Sequence, residues 1–151
     1  MVLGTGHLFY EQMFREISWH YPDKISAHIT FNEDLARKIY AAGDFFLMPS
    51  KFEPCGTGQL IALRYFTIPV VRETGGLLDT IQNYNKETGI GNGFTFNNFN
   101  SYSLFDCIKR ALICYENKEM LETIRNNIKK YDFSWDNSAG EYIELYQSIF
   151  S

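Results

Sequence analysis

Short apolar runs separated by segments of helical period organise the chain. Residues 1–4 read as the end of a strand broken by Gly4 and Gly6, and a helix is predicted over 9–20, with Pro22 and Asp23 closing that segment. Ile25, Ala27 and Ile29 alternate with Ser26, His28 and Thr30, the period of a strand with one better-buried face. Asn32 is a natural cap for a helix carrying Leu35, Ile39 and Tyr40 and closing near Gly43. Residues 44–48, dominated by Phe45 to Met48 and bounded by Gly43 and Pro49, have the pattern of a strand buried on both faces of a parallel sheet. A helix over 58–66, a buried strand at 68–71, a helix opening near Gly76 and a weaker strand at 93–96 continue the alternation. The final third is helical, over 104–115, 120–128 and 140–150, with Asp132-Phe133-Ser134-Trp135 between the last two.

Strands separated by helices of about ten residues imply right-handed crossovers and an α/β fold with a parallel sheet and helices on both faces. Ligands of such sheets lie outside the carboxyl ends of the strands. That rule selects the loops at 4–7, 31–33, 49–58 and 72–76. Loops that open helices offer unpaired N–H groups and a partial positive charge, which suit a phosphate.

Composition narrows the classes. A chain of 151 residues, 45% apolar, is sized for one domain with a substantial core, here spanning 1–151. A net charge of −4 without a stripe of Lys or Arg argues against a nucleic-acid partner. No apolar run approaches the roughly 20 residues that span a bilayer, and the start lacks the pattern of a signal peptide, so a cytoplasmic protein with no membrane partner is expected. Cys55, Cys107 and Cys114 fit reduced thiols, and Cys107 and Cys114, seven apart, share a helix face as small core residues. His7, His20 and His28 have no metal-ligand spacing and the carboxylates form no close pair, so no metal site is expected.

The loop Lys51-Phe52-Glu53-Pro54-Cys55-Gly56-Thr57-Gly58-Gln59-Leu60 carries the candidate chemistry. Pro54 restrains it, and Gly56 and Gly58 let backbone N–H groups face an anion. Glu53 beside such a site would repel phosphate, so its suitable partner is a neutral sugar hydroxyl; the alternative is a solvated loop carboxylate. Cys55 has no histidine placed to activate it as a nucleophile. In Arg72-Glu73-Thr74-Gly75-Gly76-Leu77, Thr74 is a candidate cap, and Gly75 and Gly76 allow close backbone approach. Gly4-Thr5-Gly6 is too short for a dinucleotide fingerprint and reads equally as a tight turn. Phe31 ends a strand at the ligand edge, where its ring could stack on a base or pack into the core.

Residues 44–80, with the Glu53-Pro54-Cys55-Gly56 and Thr74-Gly75-Gly76-Leu77 motifs, resemble the nucleotide-binding half of bacterial glycogen synthases and plant starch synthases, retaining glucosyltransferases of the GT-B fold. Gly4-Thr5-Gly6-His7, the 31–44 segment, Gly91-Asn92-Gly93-Phe94-Thr95-Phe96 and Asp132-Phe133-Ser134-Trp135 followed by a final helix extend the resemblance over almost the whole chain. It implies a Rossmann-like three-layer domain, the C-terminal half of a GT-B enzyme. It also implies glucose transfer from ADP-glucose to the nonreducing end of an α-1,4-glucan, without an essential metal or other cofactor. By the family's pattern Glu53 would hydrogen-bond the donor glucose and be the catalytic residue. The backbone of Cys55, Gly56, Thr57, Gly58 and Gln59 would hold the phosphates, Phe31 would stack on the base where the family has a tyrosine, and Thr74, Gly75 and Gly76 would shape the pocket.

Departures from the pattern are local. Gly58 stands where the family has threonine, His7 where it has aspartate, and Ile61 where related transferases carry a second glutamate. The cations that neutralise the diphosphate, and the acceptor domain, lie upstream in the family. The expectation is therefore a chain truncated at its N-terminal edge, inactive alone, whose partners are a nucleotide sugar, the glucan and its own missing N-terminal domain. UDP-glucose as donor, an epimerase on the same architecture, a noncatalytic nucleotide- or glucan-binding module, and a plastid location for a plant-like source are the alternatives.

Overall fold

A computed structural model of the chain describes residues 1–150. The chain forms two compact units, Met1–Gly43 and a second beginning at Asp44.

The first unit contains β1 (Val2–Leu3), α1 (Leu8–His20), β2 (Ala27–His28) and α2 (Glu33–Ala42), with β1 and β2 parallel and Val2 opposite Ala27. Helix α1 begins at His7, whose ring Nδ1 accepts from the Phe9 N–H at 3.3 Å. Asn32 caps α2 as its side-chain chemistry predicts, accepting from the Leu35 N–H at 2.9 Å. The alternating segment 25–29 yields only two strand residues.

The second unit contains β3 (Phe45–Met48), α3 (Gly58–Arg64), β4 (Ile68–Arg72), α4 (Gly76–Thr80), β5 (Phe94–Phe96), α5 (Ser101–Glu116), α6 (Lys118–Ile128) and α7 (Trp135–Phe150). Its three strands are parallel in the order β3-β4-β5, with Phe45 opposite Ile68 and Val70 opposite Phe94. Ile68, Val70 and Val71 of the central strand meet Leu77, Phe94 and Phe96, and Cys107, Ala111 and Cys114 close this core from one face of α5. Ile124 and Ile128 of α6 complete it. The spacing of Cys107, Ala111 and Cys114 is the helical period, and burial pushes both thiols up to about 11. Arg125 of α6 reaches Asp44 at 2.9 Å and ties the last packed helix to the start of β3.

Three expectations change. The strands form two parallel sheets, of two and three members, rather than one. Strand β3 is not buried on both faces: it is the edge of its sheet, and Leu47 is half exposed. Helices α5 and α6 start earlier than their apolar periodicity does, because Asn100 caps one through the Ser103 N–H and Asn117 the other through the Met120 N–H. Helix α7 likewise takes in Gly140 and begins at Trp135, and none of its described residues is buried.

Candidate functional site

The loops that leave β3 and β4 at their carboxyl ends pack backbone against backbone. The Gly76 N–H is shared between the carbonyls of Glu53 and Pro54, at 3.2 and 3.3 Å. A Cβ on Gly75 would lie 1.9 Å from the Glu53 carbonyl oxygen, and one on Gly76 2.0 Å from that of Cys55. Gly75 also has φ +47°, where a side chain is strained. Both glycines are therefore required by the neighbouring loop, and the Gly76 amide is committed to the protein itself rather than facing an anion. Thr74 does not cap α4. The N-cap position falls on Gly75, and a capping side chain must sit at N-cap to reach the N2 or N3 amide; Thr74 offers only its carbonyl, to the Leu77 N–H at 3.2 Å.

Along the first loop, Gly56 turns the chain with φ +74° and is buried, while Cys55 and Thr57 are exposed. Thr57 is the N-cap of α3 but its hydroxyl makes no capping bond, and Gly58 is the first helical residue. The first-turn N–H groups of a helix have no intrahelical acceptor, so this turn keeps its donors and its partial positive charge. Glu53 is half buried, and its Oε2 accepts from the Ser50 hydroxyl at 3.4 Å. The carboxylate lies on the loop five residues before the first residue of α3 and is held by this one long hydrogen bond.

Gln59 behaves differently from the other residues of the motif. Its side chain is completely buried, and its Nε2 donates to the Gly56 carbonyl at 3.1 Å, the Cys55 carbonyl at 3.4 Å and the Thr80 hydroxyl oxygen at 3.3 Å. The whole residue is 0% exposed, so Gln59 offers a ligand no surface, against the expectation that its backbone holds a phosphate.

Sequence reasoning missed Arg72. At the end of β4 its Nε donates to the Asn97 carbonyl at 3.0 Å, and its Nη1 to the carbonyls of Ser50, at 3.2 Å, and Lys51. The guanidinium also lies 5.5 Å from the Phe99 ring centre. It pins the start of the Glu53 loop to the segment after β5. Glu73 beside it accepts from the Thr95 hydroxyl at 2.6 Å, and its own N–H bonds the Phe96 carbonyl at 2.8 Å. The signal in the sequence was two charges directly following a fully apolar strand, where burial is tolerable only with partners.

Phe31 belongs to the first unit and is 81% exposed, so it is not a core residue. Among the described residues no three His, Cys, Asp or Glu side chains come together as a metal site, and no helix is long and apolar enough to cross a membrane. A cavity of about 600 Å³ lies away from both loops, between α3 and the 128–134 segment.

No protein-family model matches the chain. It is 53% identical over 149 residues to the glycogen synthase of Clostridioides difficile and 52% identical to that of Kosmotoga olearia, in each case over 99% of this chain and 31% of the relative. The chain therefore spans about a third of the length of these relatives. Among solved structures it is similar to the catalytic domain of starch synthase IV from Arabidopsis thaliana bound to ADP and acarbose, with a TM-score of 0.81 and 32% identity over 96% of this chain and 31% of that one. A sucrose-phosphate synthase from Thermosynechococcus elongatus, at TM-score 0.62 and 19% identity over 92% of this chain and 34% of that one, shares the fold.

Proposed function

We propose, for a chain that belongs to the glycogen and starch synthase family as a segment of about a third of its relatives' length, that it supplies the donor side of glucosyl transfer. In this reading the segment binds ADP-glucose, and the glucose passes with retention to the nonreducing end of an α-1,4-glucan held by parts of the enzyme outside it. The first turn of α3, reached through Cys55, Gly56, Thr57 and Gly58, meets the diphosphate, where unpaired N–H groups and the helix dipole favour an anion. Glu53 meets hydroxyls of the donor glucose, since a carboxylate beside an anion site suits a neutral hydrogen-bond donor. The starch synthase with which the chain shares its fold was solved with ADP, which supports a nucleotide over an unrelated anion.

The interlock of Gly75 and Gly76 with Glu53 and Cys55 is the observation that supports this reading, because it holds the main chain of the loop that carries Glu53 and leads into α3 against the start of α4. Arg72 uses Nε and Nη1 on carbonyls, so charge on a departing diphosphate needs cations from elsewhere in the enzyme, and the chain alone should not transfer glucose. Incorporation of labelled glucose into a glycogen primer by the chain alone would overturn that last point. The binding reading is tested by calorimetry with ADP, ADP-glucose and UDP-glucose. ADP and ADP-glucose should bind, and Glu53→Ala should weaken ADP-glucose several-fold more than ADP. Equal losses for the two ligands would remove Glu53 from the sugar side.

A further inference from the structure

We propose that Gln59 is a positioning residue of this site, whose buried amide, through Thr80, holds the 53–58 loop and the start of α4 in one register. The inference rests on reading those loops as the donor site. The contacts form a circuit in which each proton has a defined direction. Gln59 Nε2 donates to the Gly56 carbonyl and to the Thr80 hydroxyl oxygen; the Thr80 hydroxyl donates its own proton to the Gly76 carbonyl at 2.7 Å; the Gly76 N–H donates to the carbonyls of Glu53 and Pro54. The circuit leaves one loop, passes through α4 and returns to the same loop three residues before Gly56.

Two further observations say that the amide is present for its donor end. Its Oε1 is buried and has no hydrogen-bond partner among the described residues, an arrangement that disfavours the side chain and needs a compensating role for the nitrogen. The reverse orientation is worse, because Oε1 would then face two carbonyl oxygens, those of Gly56 and Cys55. Gly56 also fits this neighbour: a Cβ there would lie 2.6 Å from Oε1, so the turn and the amide constrain each other.

The test uses the 151-residue chain and its Gln59→Leu, Gln59→Glu and Thr80→Val variants, followed by amide hydrogen exchange and by ADP calorimetry. Gln59→Leu and Thr80→Val should each speed exchange about five- to tenfold at both 56–58 and 76–78, and the double variant should exceed neither single one. ADP affinity should fall by a similar factor. Gln59→Glu should resemble Gln59→Leu at neutral pH, where a carboxylate faces carbonyls, and recover toward wild type as the pH falls, because the protonated acid regains a donor. Exchange changes confined to 56–58, additive effects in the double variant, or a Gln59→Glu chain that tracks Gln59→Leu at every pH would each overturn the proposal. If the wild-type chain binds no ADP, the donor-site reading fails while the exchange measurements still decide the circuit. Should Gln59→Leu not fold, Thr80→Val carries the same exchange comparison.

Discussion

Replacing Gly76 by alanine tests the backbone interlock with a single methyl group. The added Cβ would begin 2.0 Å from the Cys55 carbonyl oxygen, and real Cβ atoms do not approach closer than 3.0 Å, so one loop must retreat by at least the difference, 1.0 Å. The obstacle is main chain, with no flexible side chain to swing aside. A retreat of that size breaks the Gly76 hydrogen bonds, now 3.2 and 3.3 Å long, and moves the adjacent, fully buried Leu77. Overpacking of this kind costs about 1–3 kcal/mol and the lost hydrogen bond about 1 more. Against this, alanine in place of glycine in a helix gains at most about 1 kcal/mol. The net expectation is a destabilisation of about 1–3 kcal/mol, or a melting midpoint lowered by roughly 3–10 °C for a chain of this size. Circular dichroism melts provide the measurement. Gly140→Ala, with nothing within 4 Å of the new methyl, is the control and should leave the midpoint unchanged or slightly raised. The sign decides: if Gly76→Ala melts at or above the wild-type temperature, helix propensity governs the position and the interlock is not what requires glycine.

Two other outcomes follow from the same structure. At about pH 8 a thiol reagent should modify exposed Cys55 and leave Cys107 and Cys114 untouched until denaturant is added, since burial holds both well above their ordinary range; mass spectrometry of the labelled chain reads this directly, and rapid loss of all three thiols would contradict the packing. The Asp132 carboxyl is held below its ordinary 3.8 by the Ser134 backbone N–H, then the Ser134 side chain and the Arg64 charge, so its contribution to stability is present above that value and is lost as the pH falls through the folded-state one. Asp132→Asn should therefore lower the midpoint near neutral pH and show a shallower loss of stability below about pH 4, and an unchanged acid profile would refute the assignment.

Residues 44–80 were the legible part of the chain. Phe45 to Met48 and Ile68 to Val71 are apolar without interruption, and glycine-rich polar segments follow each, so strand, loop and helix succession could be read directly. The caps at Asn100 and Asn117 were less visible, because they lie four and three residues before the apolar periods at 104 and 120 that they start. Edge position could not be read at β3, since a hydrophobic run looks the same in a central strand and an outer one. In the candidate site, the sequence marked Glu53, Gly56 and Gly75 by chemistry and φ freedom. It did not separate Gln59 from its neighbours, because a buried amide and a ligand-facing amide are the same letter. Arg72 was missed for a related reason: its partners are main-chain carbonyls 21 to 25 residues away in sequence, which carry no residue-type signal.

The interlock bears on how this region can be recombined. Because the carbonyls of Glu53 and Cys55 fill the space that any side chain at 75 or 76 would need, the two loops form one heritable module though some twenty residues of chain separate them. A chimera that takes only one of them from a distant homologue inherits a mismatched joint, whereas exchange of the pair preserves it. Variation within the pair is then easiest at outward positions such as Thr57, where a new side chain meets solvent rather than the opposite loop.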